Sequence, residues 1–448
     1  MSARQLIALA AAASALMALG GCAIQPWVKP YEREQLADPI MKFSRSSLAE
    51  RHNEHVRTIR ESAVAQPACK GAGVAATDAR SRSLSIARRL FKSLAALLGG
   101  ALAAGGARAV DLPEDRAEVL YHVYNGGGVK ANGPALLVRK SLQGKVSLQG
   151  SYYVDSVSNA SIDVVTTASP YRETRKEYGL TADYVYRDSQ ITLGTTQSKE
   201  PDYTANAVSI DVSQEGFGGM TTTSLGFTRG SDTVGKKYAP EFNDSVKHWQ
   251  YRLGVTQILT KAWVASANFE AISDDGYLQS PYRSARVFGA AVPERDPRTR
   301  TSRAFKFRLI GDLGHRDAIH GDYRYYYDTW AIKAHTAELG YSRYFGDAVL
   351  ADTSLRYYTQ THALFYSDNA QQETTYVSRN RQLSSFDSIG LGGNLAYSVR
   401  KVPGRYEVKL NGAYQYVRFK FKDFTDVRTG ALYSSNASIL QMFVSATY

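Results

Sequence analysis

The chain reads as an all-β transmembrane barrel of the outer-membrane type, with sixteen antiparallel strands behind a short, mostly irregular lipoprotein-like segment. Three observations carry that reading. From Val110 onward, segments of about 8 to 14 residues alternate with period two, as a strand must when one face meets lipid and the other a lumen. The chain ends on ILQMFVSATY, where Leu440, Met442, Val444, Ala446 and Tyr448 form an apolar stripe closing on an aromatic residue, the ending that barrel-assembly machinery selects. Ahead of the barrel stand two export signals, for which a cytoplasmic chain has no use.

The first signal occupies residues 1–22: Arg4, an apolar core, then Leu19-Gly20-Gly21-Cys22. That ending is the spacing at which a cysteine is diacylated and the chain cleaved before it, so Cys22 is the expected lipidation site. Ala23 follows, with no aspartate to retain the product at the inner membrane, which favours the outer membrane. Cys69 is the other cysteine; with Cys22 lipidated, neither an intrachain disulfide nor a thiol metal cluster is available. Residues 23–82 are short, rich in charge and proline, and hold one possible helix in SLAERHNEHVRTIRES. Such a segment buries little core of its own and reads as a small tethered peptide. His52 and His55 are three apart and could share a metal, but with no third ligand nearby they read as a solvated pair.

The second signal-like segment, residues 83–109, has Arg88, Arg89 and Lys92 before an apolar run and an A-x-A-like end at Ala107 to Ala109. The run Leu94 to Leu102 is too short for a spanning helix. Cleavage after Ala109 would start the barrel, 110–448, at Val110; without cleavage the barrel stays joined to the head. A misassigned upstream start codon is a third reading.

The strands follow from alternation. In KVSLQGSYYVDS, Val146, Leu148, Gly150, Tyr152 and Val154 oppose Ser147, Gln149, Ser151, Tyr153 and Asp155. In KAWVASANFEA, Trp263, Ala265, Ala267, Phe269 and Ala271 oppose Val264, Ser266, Asn268 and Glu270. In AIHGDYRYYYD, Ile319, Gly321, Tyr323, Tyr325 and Tyr327 oppose His320, Asp322, Arg324, Tyr326 and Asp328. Counted back from the terminus, the long gaps 420–435, 363–384, 274–302, 229–247 and 156–174 all fall in one alternating class. The other class holds only short gaps, among them 401–403, 346–349, 214–219 and 142–144. That is a barrel with long external loops and short periplasmic turns. The rule requires an outward strand before residue 133, which EVLYHVY at 118–124 supplies; if that segment is a plug or extension, the count is fourteen. Closure follows because an unpaired edge in lipid leaves backbone groups unsatisfied. Tyrosines belong at the two interfaces, with rings in lipid and hydroxyls among headgroups.

The formal net charge is +12, partly in the signals and head. No nucleic-acid module or basic patch is visible, and no cofactor is implied by the residues. The nearest thing to a site is lumenal charge. His320, Asp322, Arg324 and Asp328 alternate inward; after a tight hairpin Lys333, His335 and Glu338 return close by, and Asp352 and Arg356 follow. Such charges either pair to brace the wall or form a solute-binding constriction. No Ser-His-Asp spacing is convincing, so the chain reads as a non-enzyme. Arg283, Arg286, Arg298, Arg300 and Arg303 in the external loops read as contacts to lipopolysaccharide phosphates.

The phrases LPEDRAEVLYHVYNGGGV, YRLGVTQILTK, GDYRYYYDTWAIKAHTAELGY and LRYYTQTHALFYSD resemble an uncharacterised outer-membrane family, domain of unknown function 3570. The head, GCAIQPWVKPYEREQLADPIM, is similar to a small lipoprotein family, domain of unknown function 4266, with its usual cysteine-rich tail reduced to ACKGAG. Members of the two families are usually separate proteins encoded side by side, near thioredoxin-like proteins and a flavin transferase. The resemblance therefore implies a channel or envelope component associated with periplasmic redox proteins, or a non-conducting docking barrel. A covalent-flavin-like segment, DVRTGAL at 426–432, lacks the final hydroxyl residue and reads as chance.

Overall fold

The computed structural model describes residues 26–58, 61, 111–162, 171–237 and 239–448. Cys22, Ala109 and both signal segments lie outside the described residues. Sixteen strands close into one antiparallel barrel in the order in which the chain runs. They are β1 (Arg116–Gly126), β2 (Val129–Leu142), β3 (Val146–Asn159), β4 (Tyr171–Tyr186), β5 (Ser189–Lys199), β6 (Tyr203–Gly216), β7 (Thr221–Gly235), β8 (Asn243–Ile258) and β9 (Trp263–Gly276). After a small hairpin, β10 (Ser284–Val287) and β11 (Ala290–Pro293), the wall resumes with β12 (Thr299–Asp312), β13 (Asp317–Asp328), β14 (Lys333–Phe345) and β15 (Val349–Gln360). It ends with β16 (Phe386–Val402), β17 (Tyr406–Thr425) and β18 (Leu432–Thr447).

The first strand closes the barrel: β1 pairs β18 from Arg116↔Thr447 to Gly126↔Ala437. The count is therefore sixteen, and EVLYHVY is wall. Tight turns need special backbone. Gly128 sits at φ +80, where a Cβ would lie 2.5 Å from the Ala160 carbonyl oxygen.

Alternation holds around the circumference. Leu148, Leu180, Leu193, Leu253, Phe305, Leu355, Leu391 and Leu410 stand exposed on the outer face, with Tyr178, Tyr184, Tyr251, Tyr323, Tyr357 and Tyr414 among them. No helix among the described residues is long and apolar enough to cross a membrane, so the strands make the crossing. A closed antiparallel barrel with this outer band is an outer-membrane protein. Three of the long gaps are shorter than expected, 156–174, 229–247 and 420–435, because β3, β4, β7, β8, β17 and β18 keep pairing beyond their alternating cores. The loops 277–298 and 361–385 remain long and bridge one another through Val287↔Ala370 and Arg295↔Val377. Beneath them Ala363, Tyr366 and Leu383 pack with Trp330, Tyr358, Phe386, Phe421 and Phe424 in one buried cluster at the external end.

The lumen is not empty. The head enters it from the periplasmic turns and folds as α1 (Glu34–Ala37) and α2 (Ser47–Thr58), with 3₁₀ turns at Pro30–Glu32 and Pro39–Met41. The small peptide with little core of its own thus lies inside the barrel. A segment too small for its own core borrows the wall's. Leu48 and Ala49 pack on Leu120, Ala135, Leu137, Tyr153 and Phe443, and Ile40 and Met41 on Ile310, Ala318, Leu350 and Ala396.

Candidate functional site

The surface between head and wall is the candidate site. At the periplasmic rim the Trp27 indole donates to the Leu259 carbonyl at 3.0 Å, Arg33 to that of Gly218 at 2.8 Å, and Glu32 pairs with Lys261 at 2.7 Å. Deeper in, the Tyr344 hydroxyl donates to Asp38 at 2.9 Å and Arg308 to the Phe43 carbonyl at 2.9 Å.

Three arginines of the head then find wall carboxylates. Arg45 meets Asp352 at 2.7 Å, Arg51 meets Glu177 at 3.7 Å, and Arg57 meets Glu338 at 3.4 Å. Past the helix the polarity reverses: Glu61, 2% exposed, accepts two bonds from the Arg356 guanidinium, at 2.6 and 2.7 Å. That paired, two-toothed geometry is the strongest way to hold a carboxylate in a low-dielectric site. The Gln441 amide donates to the Ala49 carbonyl at 3.0 Å, so β18 grips the helix backbone as well.

On one side of α2 lies a buried polar chain. His52 Nδ1 is 2.6 Å from the Tyr153 hydroxyl, which is 3.2 Å from His122 Nε2, itself 2.8 Å from Asp155. Asp155 also accepts from Arg175 at 3.1 Å and faces His55 at 3.6 Å. The expectation of a solvated histidine pair is therefore wrong: His52 is 1% exposed. Burial holds its imidazole well below the usual range and lowers that of His55 to about 3.

The predicted lumenal residues sort by strand parity. His320, Asp322, Arg324, Asp328, Glu338, Asp352 and Arg356 face inward. Asp322 takes Arg308; Arg324 approaches Glu270 at 3.7 Å; Asp328 takes Arg300 at 2.6 Å. His320 fills the space over Gly340, where an added Cβ would meet the ring at 2.1 Å. His335 is a correction. It pairs with Tyr325 across the strand, and the outward Tyr323 hydroxyl lies 2.7 Å from its Nδ1. Residues 335 and 338 are three apart, so a period-two strand cannot turn both inward. His335 and Lys333 face out.

Of the arginines expected in the external loops, Arg298 is tied to Asp244 at 2.7 Å, whereas Arg300 and Arg303 lie on β12, with Arg300 paired to Asp328. Asp426 caps its own turn and pairs with Arg428 at 2.7 Å, which places DVRTGAL in a self-satisfied hairpin turn. Among the described residues Glu173, Glu200 and Asp202 lie close enough to share a cation, and burial lifts the Glu200 carboxyl to about 7. A Ser-His-Asp grouping also exists at the external face. There His362 Nδ1 lies 3.2 Å from Ser385 Oγ and 2.9 Å from Asp423. One nitrogen serves both contacts, so a proton cannot pass through the ring between them.

Sequence reading missed the head's partners His122, Tyr153, Asp155, Arg175 and Glu177. A signal was present. Leu120, Leu137 and Phe443 fall on inward positions and are fully or almost fully buried; apolar side chains there have no place in a water-filled pore.

Residues 235–417 match a family described as protein of unknown function, DUF3570, and residues 28–73 match domain of unknown function DUF4266. Both resemblances read from the sequence thus stand, and the second covers the segment seated in the lumen. No curated protein matches the chain. Similar solved structures include OmpT of Vibrio cholerae lacking loop L8, at 9% identity and TM-score 0.39 over 74% of this chain and 98% of that one. They include OpdK of Pseudomonas aeruginosa with vanillate, at 10% and 0.39 over 76% and 100%. The siderophore receptor PirA of Pseudomonas aeruginosa follows at 9% and 0.38 over 75% and 81%. At these values the likeness carries nothing about what each barrel handles.

Proposed function

We propose that this protein is a plugged outer-membrane barrel, a docking frame that holds its own lipoprotein-like head in the lumen and is closed to ions while the head is seated. The observation that carries the reading is the charge match: Arg45, Arg51 and Arg57 on Asp352, Glu177 and Glu338, with Glu61 on Arg356. Lumenal charges arranged for a permeating solute would face water; here they face a peptide of complementary sign. The head's approach fits a lipid anchor. Pro26 lies beside Gly218 at the periplasmic rim, where an added Cβ would stand 3.2 Å from the Pro26 Cγ. Acyl chains on Cys22, four residues earlier, would reach the membrane within about 14 Å of that rim.

The test is single-channel recording of the full chain in planar bilayers, beside the double variant Arg45→Glu/Arg57→Glu. The full chain should sit near baseline. The variant, which places like charge against Asp352 and Glu338, should open in long bursts. Steady conductance from the unaltered chain would sink the plugged reading, leaving an ordinary channel.

A further inference from the structure

The outer face carries a second charge pattern that the head does not explain. On β4 and β5 Lys176 stands directly opposite Lys199, both exposed. Like charges facing each other across strands repel and weaken the pairing. Two same-face rows nearer the external edge, beyond Thr174, Lys130 pairs with Ser158 on β3, and Ser158 with Arg172 on β4. All four basic side chains point away from the lumen, by the parity that turns Glu173, Arg175 and Glu177 inward on β4. None has a carboxylate partner among the described residues.

Elsewhere around the rim most outward cations have an acid or a ring beside them, and the exceptions are single: Arg229 stands between Val208 and Trp249, and Arg418 between Ile389 and Asn436. Lys422 pairs with Asp387 at 2.7 Å, Lys420 stands opposite Asp387, Lys247 opposite Asp275, and Arg303 lies over the Tyr327 ring. Only the β2–β5 sector holds a group of four with no opposing acid among the described residues.

Depth identifies the partner. Down the outer face of β4 and its neighbours, Arg172 and Lys176 come first. Next comes the Tyr152–Tyr178 pair with ring centroids 5.0 Å apart, then Leu180, 63% exposed, with Leu193 beside it at 53%. Cation, tyrosine, leucine is the order of a membrane interface passing from headgroup to acyl chain. The tyrosines face lipid, so the lysines stand at the level of the phosphates of the external leaflet. We propose that Lys130, Arg172, Lys176 and Lys199 form a binding site for the phosphorylated headgroup of lipopolysaccharide. Its acyl chains would lie along Tyr152, Tyr178, Leu180 and Leu193. The bound phosphate would relieve the Lys176–Lys199 repulsion, so lipid binding and barrel stability are coupled.

The test follows the heat-modifiable band of the full chain in non-ionic detergent. Three additions are compared: bisphosphorylated lipid A, the same lipid dephosphorylated, and inorganic phosphate. The bisphosphorylated lipid should raise the unfolding midpoint of the unaltered chain. The double variants Lys176→Gln/Lys199→Gln and Lys130→Gln/Arg172→Gln should need at least about tenfold more lipid for the same rise. Removing two like charges should also leave the first variant no less stable without lipid. An unchanged lipid response in both variants would overturn the site. So would an equal rise with dephosphorylated lipid, which assigns the effect to acyl contact, or with inorganic phosphate, which makes it a free-anion site.

Discussion

Single side chains decide how firmly the head is held. Arg356, 6% exposed, has Glu61 as its closest partner, and Glu338 lies 3.9 Å from its Nε. Arg356→Met leaves the Glu61 carboxylate buried and unpaired, a change that costs about 3 to 5 kcal/mol. The variant should show channel openings in bilayers and trypsin cleavage within the head, at Arg45, Arg51 or Arg57; full protection would mean that Glu61 does not contribute to seating. His52 makes docking sensitive to acid. It faces His122 from β1, Tyr153 and Asp155 from β3, Arg175 from β4, and His55 from its own helix. Its pKa, like that of His55, is lower in the seated head than the ordinary value of 6.5. The seated state therefore binds fewer protons than the free head. Its stability is complete above pH about 6.5 and declines as the pH falls below that, by up to about tenfold per group per unit. Openings should be more frequent at pH 5 than at pH 7.5, and His52→Gln should flatten that dependence; a flat profile in the unaltered chain would refute the role.

At the scale of elements, α2 is a helix made by its surroundings. Twelve residues are too few to be stable alone in water; Leu48, Ala49 and Val56 gain burial only against the wall. Asn53 sits mid-helix, its side chain 3.3 Å from the Gln441 amide. Asn53→Pro should cost the helix about 3 kcal/mol and release the head. The barrel's own ladders do not pass through it, so the heat-modifiable band should persist while the head becomes protease-sensitive. Loss of the band would show that barrel and head fold as one unit. The hairpin β13–β14 shows how much one turn decides. With Tyr327 opposite Lys333, odd positions face lipid on both strands, and His335 goes out with them.

At the scale of the molecule, head and wall are held as one structure by the lumenal contacts described above. A protease site introduced between residues 70 and 80 should, once cut, leave the head bound to the barrel through gel filtration in detergent. Release on cutting would mean that covalent tethering, not the lumenal surface, keeps it in place. The external loops and the head approach the barrel axis from opposite ends. Val56 joins the same buried cluster as Tyr366 and Phe424, so the top of the head meets the underside of the external cap.

What the sequence by itself determined is what a strand decides locally. Alternation assigned an outer and an inner face, turn lengths set which end is external, and the aromatic terminus marked the last strand. Together they led to sixteen strands and the membrane address, because each β-residue's face depends only on its position in the pleat. What only the tertiary structure decided lies between residues far apart in the chain. Arg45 and Asp352 are 307 positions apart, and Glu61 and Arg356 are 295. Neither end of such a pair differs in sequence from a solvated surface charge. The lumen became a binding surface only when closure of the barrel brought its walls around the head.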